Sequence, residues 1–271
     1  MLYCINSLMF NPELDIFNKI KIASAAGFDG IEIWHNEIVN ENLNDVAKCL
    51  SDHNIKPTTI VGILGWFEND GNLMNVDDNE EKIFEECKRR IETGCKIKCP
   101  YIIAAPAFSH RNHFASWEQG VDRYNKIVEF GIIMGCVPTL EFIGQSSQIN
   151  TFFLCEKFLN DLHSDTKMII DSYHLWRGGG SMDDFINYDA KKISVFHISD
   201  ANKNINRLEH KDRDRVMPFD GRLDLHLFKN CIKKINYDGF INLGVYNKNL
   251  WKIDPIVMAK DGLKRLQTLF N

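Results

Sequence analysis

Residues 193–200 read ISVFHISD, an apolar run broken by one histidine, and the segment reads as a buried strand. Seven further apolar runs match it: LYCINSL (2–8), GIEIWH (30–35), PTTIVGIL (57–64), YIIAAPAF (101–108), VPTLEFIG (137–144), KMIIDSYH (167–174) and FINLGVYN (240–247). Amphipathic stretches of helical period fill the intervals, among them ELDIFNKIKIASAAG, NEEKIFEECKRRIETG and LDLHLFKNCIKKI, and DPIVMAKDGLKRLQTLF ends the chain. Asn11-Pro12-Glu13, Asn79 and Asp254-Pro255 read as helix starts, and Gly27 and Gly94 as stops. Near-continuous apolar strands alternating with helices predict a parallel sheet covered on its faces. Eight such units within 271 residues predict an α/β fold, a single (β/α)8 TIM barrel over residues 1–271 with its site at the C-terminal face. An open doubly wound sheet is the competing arrangement. Its dinucleotide-binding form is disfavoured, because NSLMFNP stands where a GxGxxG turn would follow the first strand.

The totals are those of a globular chain, with 44% hydrophobic and 25% charged residues. A net charge of −5 argues against a nucleic-acid partner bound by bulk electrostatics. No apolar stretch approaches membrane-spanning length, and the N-terminus lacks the pattern of a signal peptide. The eight cysteines form neither a CxxC pair nor a zinc-finger spacing, so a cytoplasmic protein with reduced thiols is expected.

Polar residues inside buried strands need an explanation, and three stand out. Glu141 interrupts TLEFIG, Asp171 interrupts MIIDSYH and His197 interrupts SVFHISD, each in the C-terminal half of its strand. A lone buried acid is readily explained by pairing with Arg or Lys, and a lone buried His by a backbone partner. Three in successive strands at one end point instead to a site for a divalent cation such as Mn²⁺, Zn²⁺, Co²⁺ or Mg²⁺. His174 is placed to bond a substrate hydroxyl or to support the metal, and Asp200 to orient a ligand or hold an incoming loop. Arg215 either neutralises an anionic substrate or is a solvated loop residue. Glu32 is placed to hold the barrel mouth through an ion pair, and His110 and His113 are expected to face solvent. Trp66, Phe67 and Trp176 wall a sugar's apolar face or pack in the core.

Together these stretches resemble the xylose-isomerase-like barrels of sugar isomerases and epimerases, and within them the inosose isomerases of myo-inositol catabolism. The resemblance rests on AAGFDGIEIW (25–34), LEFIGQSSQINTF (140–152), IIDSYH (169–174), KKISVFHISDA (191–201), DRVMPFDGRLDL (214–225) and YDGFINLGVYNKNLW (237–251). It implies a metal-assisted proton transfer beside a carbonyl, with Glu141, Asp171 and His197 as ligands and Glu141 and His174 as catalytic groups. A fourth ligand, a second glutamate on the eighth strand in members, falls on Gly244, so weaker metal binding and impaired or altered catalysis are expected. Phe219-Asp220-Gly221 also departs from a Gly-x-Gly turn. Asn242 and Tyr246 flank the glycine; Tyr246, with His174, Arg215 and Trp176, is expected to contact a small sugar or inosose substrate. A homo-oligomer is compatible with this reading. The alternatives are a catalytically silent sugar- or polyol-binding barrel and a 3-dehydroshikimate dehydratase-like lyase.

Overall fold

A computed structural model describes residues 1–64, 80–106 and 116–271. Trp66, Phe67, Asn79, His110 and His113 lie outside the described residues. The chain folds into eight parallel strands: β1 (Leu2–Asn6), β2 (Gly30–Trp34), β3 (Lys56–Leu64), β4 (Tyr101–Ala105), β5 (Val137–Glu141), β6 (Met168–Asp171), β7 (Ile193–Ile198) and β8 (Phe240–Leu243). They close into a barrel in sequence order, β1 pairing with β8 through Leu2–Phe240 and Cys4–Asn242. Eight helices alternate with them: α1 (Ile16–Ala26), α2 (Leu43–Asp52), α3 (Glu80–Lys96), α4 (Trp117–Met134), α5 (Phe152–Asn160), α6 (Ser172–Arg177), α7 (Leu225–Lys234) and α8 (Pro255–Phe270). The fold is the (β/α)8 TIM barrel expected from the strand pattern.

Local chemistry sets the boundaries. Asp15 caps α1 by accepting from the Asn18 N–H, so the helix starts later than Asn11-Pro12 suggested. Gly27 ends it in the left-handed region, at φ 96°. Asp254 caps α8, with Pro255 in its first turn. Gly94, read as a stop, lies inside α3; a Cβ there would stand 2.4 Å from the Cys136 sulfur, so the glycine permits close packing instead. The 167–174 segment is a strand only to Asp171. There the Asp171 carboxylate accepts from the Tyr173 and His174 N–H groups and starts α6. The last strand likewise ends at Leu243, although the Gly244 N–H still donates to the Ile198 carbonyl.

Two apolar layers result. The main core lies between the strands and the helices. A separate small cluster of Val61, Ile103, Ile169 and Val195 belongs to strands only. Side chains alternate along a strand, so Val195 and His197 share a face, as do Ile169 and Asp171. The polar residues therefore stand above a small apolar plug in the barrel interior, at the C-terminal end of the strands. All eight cysteines are free. No described helix is long and apolar enough to cross a membrane.

The turn over the barrel mouth depends on Asp200. Its carboxylate accepts from the backbone N–H groups of Ala201, Phe219, Gly221 and Leu223. Phe219 adopts φ 77°, the left-handed conformation that a glycine takes without strain, at a cost of about 1–2 kcal/mol. Gly221 has no room for a side chain, since a Cβ would stand 2.2 Å from Asp200 Oδ1. Gly221→Ala should therefore destabilise the protein by about 2–3 kcal/mol, as the displaced carboxylate leaves backbone donors unpaired. Phe219→Gly should stay within about 1 kcal/mol of the parent, because relieved strain offsets added chain entropy. Urea unfolding of the two variants distinguishes these outcomes.

Candidate functional site

Three neighbouring strands deliver Glu141, Asp171 and His197 to one place. Asp171 and His197 are register partners on β6 and β7, and Glu141 ends β5. His197 Nδ1 lies 2.9 Å from Glu141 Oε1 and 3.8 Å from Asp171 Oδ2. Its other nitrogen, Nε2, lies 3.0 Å from Glu32 Oε2. Burial alone would lower the His197 pKa, but Glu32 and Glu141 outweigh it and hold the pKa well above the ordinary value. Glu32 is itself fully buried, and Asn6 Nδ2 and Thr59 Oγ1 donate to its carboxylate. The pairing register of β2 with β3 shifts between Ile31 and Ile33, an irregularity of the kind that re-aims side chains beside sites.

Arg215 is not a solvated loop residue. It is 1% exposed and starts a two-residue ribbon in which Arg215–Val216 pairs antiparallel with Asp200–Ala201. One guanidinium nitrogen donates to Asp171 Oδ2 at 2.7 Å and the other to Asp212 Oδ1 at 2.6 Å. The guanidinium carbon lies 4.2 Å from the Tyr173 ring centre and 4.9 Å from that of Tyr246, so aromatic faces replace lost hydration. Burial raises the carboxyl pKa values of Asp171 and Asp212, but the Arg215 charge outweighs it; both fall below the ordinary value, Asp212 to about 2. His174 sits on α6, with Nε2 3.0 Å from Arg215 and Nδ1 accepting from the Gly144 N–H at 3.3 Å. Burial foremost, aided by the Arg215 charge, lowers the His174 pKa, so this imidazole is neutral.

Beside these groups opens a cavity of about 290 Å³. Leu8, Trp34 and Val61 line its apolar part, and Glu141, His174, Arg215 and Tyr246 are among its polar lining. A Cβ placed at Gly244 meets no atom within 4 Å, so the end of β8 leaves open space where the other three strands carry polar side chains. Asn242, deeper in the barrel, is fully buried, and neither amide atom has a partner among the described residues. Trp176 is not among the cavity's lining residues; its ring packs on Tyr173 and His210.

The donor set suits a divalent cation. One ligand atom each from the buried Glu141, Asp171 and His174 falls within 4.8 Å of the others. His197 offers Nδ1 toward Glu141 and Asp171 while Nε2 faces Glu32, the arrangement in which a carboxylate orients a metal-binding imidazole. Asn6, Thr59 and Asp212 are site members that the strand reading did not single out. Asn6 and Thr59 are polar residues within apolar strands, the same signal that marked Glu141. Asp212 stands three before Arg215 in the charge-alternating KDRDR.

Residues 20–269 match the family model described as xylose isomerase-like TIM barrel. The inosose isomerase of Bacillus velezensis is 23% identical over 274 residues, covering 96% of this chain and 95% of its own. The 3-dehydro-D-guloside 4-epimerase of Escherichia coli is 24% identical over 275 residues, covering 96% of each. Among solved structures, the zinc-bound IolI protein superposes with a TM-score of 0.89 at 21% identity, over 100% of this chain and 98% of that one. An L-ribulose 3-epimerase does so with 0.78 at 17% identity, over 99% and 94%. At these identities the structural likeness is one of fold.

The raised His197 pKa has a direct consequence for stability. A group whose folded pKa exceeds its unfolded value, about 6.5 for histidine, contributes fully below that pH. The contribution is lost as pH rises through the folded value. In chelator, the parent should lose up to about 1.4 kcal/mol more per pH unit above roughly pH 6.5 than His197→Asn does. Urea unfolding of both proteins across that range checks this.

Proposed function

The chain belongs to the xylose isomerase-like TIM-barrel family, and from that premise we propose that it is a divalent-metal-assisted isomerase of an inosose or keto-sugar. In this reading it acts as a single barrel domain in the cytoplasm on a small molecule, and homo-oligomer formation is compatible with it. The observation that supports it most is the convergence of Glu141, Asp171 and His197 from three adjacent strands beside a sugar-sized cavity. Those three residues would hold the metal, which when bound acts as a Lewis acid toward substrate oxygens.

The rest of the mechanism belongs to the chain's own side chains. Glu141, at the cavity wall, is the base that takes the carbon-bound proton next to the carbonyl. Neutral His174, which lines the cavity with Nε2 held at Arg215, is placed to meet a substrate hydroxyl. Arg215, locked by Asp171 and Asp212, presents fixed positive charge to oxygens that gain negative charge. Leu8, Trp34 and Val61 form an apolar wall that leaves the polar lining to meet the substrate's oxygens. Inversion at one carbon calls for acid and base on opposite faces, and Gly244 supplies no carboxylate for a second. A shift of the carbonyl to the neighbouring carbon needs only Glu141, which carries the proton across one face. That favours isomerisation over two-base epimerisation.

The open space at Gly244 also supports a second reading, a barrel that binds a polyol without turning it over. In the isomerase reading, the parent binds Mn²⁺, Co²⁺ or Zn²⁺ by calorimetry and exchanges substrate α-protons in D₂O. Glu141→Gln lowers that exchange by about 10²–10⁴-fold. Gly244→Glu, adding a charged ligand, tightens metal binding by about tenfold, equivalent to ~1.4 kcal/mol. Turnover confined to Gly244→Glu would establish the binding reading, whereas a parent with neither metal binding nor exchange would sink the isomerase.

A further inference from the structure

The side chain nearest in sequence to the open space at Gly244 that also lines the cavity is Tyr246. Its hydroxyl oxygen accepts a hydrogen bond from Asn6 Nδ2 at 3.0 Å, and its own hydrogen has no acceptor among the described residues. Its position is firmly set. The ring meets Trp34 edge to face, with centroids 6.4 Å apart, and the Arg215 guanidinium lies against its face. Asn6 is fixed in turn, since Nδ2 also donates to Glu32 and Oδ1 accepts from the Leu8 N–H. Burial and the neighbouring Glu32 hold the phenol protonated at neutral pH. The cavity therefore has a rigid donor with an unspent proton on the β8 side, while Glu141 stands on β5 with a carboxylate.

We propose that Tyr246 is a further catalytic residue of this barrel, beside Glu141 and His174, donating to the substrate oxygen that gains negative charge when Glu141 removes the adjacent carbon-bound proton. The assignment rests on the isomerase reading and adds the oxygen-side acid to it. In the forward direction the C1–H and O1–H bonds break, and C2–H and O2–H bonds form. Glu141 carries the carbon-bound proton from C1 to C2. Tyr246 gives its proton to O2 and takes the one leaving O1, so the phenol ends as it began. The Arg215 cation and the Asn6 N–H lie where they stabilise any charge on the phenol oxygen during the exchange. This assigns to a phenol on the β8 side an acid function that a carboxylate at position 244 would otherwise be available to serve.

Tyr246→Phe tests the assignment, because it keeps the ring and removes one oxygen. The expected result is a kcat lower by about 10²–10³-fold with KM within about threefold, and an unchanged unfolding midpoint. Replacing Tyr246 with 3-fluorotyrosine should move the alkaline limb of the kcat profile to lower pH, which a merely structural role would not do. A polyhydroxy hydroxamate, a planar mimic of the enediolate, should bind Tyr246→Phe at least about tenfold more weakly than the parent by calorimetry. Phe and parent within about twofold in both kcat and hydroxamate affinity would overturn the assignment while leaving the isomerase intact. A parent that turns over no keto-sugar or inosose yet binds the hydroxamate through Tyr246 would overturn the isomerase reading and the catalytic assignment with it, leaving Tyr246 a ligand-binding donor only. A parent that does neither overturns both.

Discussion

His197 sits buried between Glu141 and Glu32 at the C-terminal end of the barrel, and the polar architecture follows from that contact. An imidazole with a carboxylate at each nitrogen is stable in a low-dielectric interior only if it carries a proton or supports a cation. The two carboxylates in turn need the histidine, because each would otherwise be a buried, unpaired charge. Asn6 and Thr59 then satisfy the remaining lone pairs of Glu32. What looks from the sequence like isolated polar residues in apolar strands is one connected network, with strands β1, β2, β3, β5 and β7 all represented in it.

A second cation–anion group lies alongside. Arg215 pairs with both Asp171 and Asp212, and its burial is tolerable because its charge is met by two carboxylates and two aromatic faces. The missing side chain at Gly244 fits this balance. A glutamate there would add a third acid to the two already facing one guanidinium, whereas a glycine adds none. In this chain the end of β8 contributes backbone and space, and the next side chain of chemical interest is the phenol two residues on.

The fold was legible because strand periodicity survives burial: eight apolar runs in the sequence became eight barrel strands. The candidate site was legible where a charge broke such a run, as at Glu141, Asp171 and His197, whose side chains the fold brings together. Legibility failed where a side chain's role depends on distant partners. Arg215 reads equally as a substrate contact or a solvated loop residue until Asp171 and two tyrosines are placed around it. Trp176 reads as a sugar wall, yet the turn that begins α6 directs it onto Tyr173 and His210. The short helix itself was hidden because IIDSYH suits a strand and its cap equally well; the Asp-Ser pair was the available cue for a helix start. Phe219 shows a different limit, since a left-handed backbone under a phenylalanine is invisible to pattern reading.

The hydrogen bond from Asn6 to Tyr246 joins residues 240 positions apart, and His197 meets Glu32 across 165. A chain made from its N-terminus holds Asn6 and Glu32 early, as polar groups without their partners. Only when the last strand has been synthesised can the network be completed and the barrel closed over it. During translation, then, no incomplete product displays the assembled cluster, which arrives together with the final fold, not ahead of it.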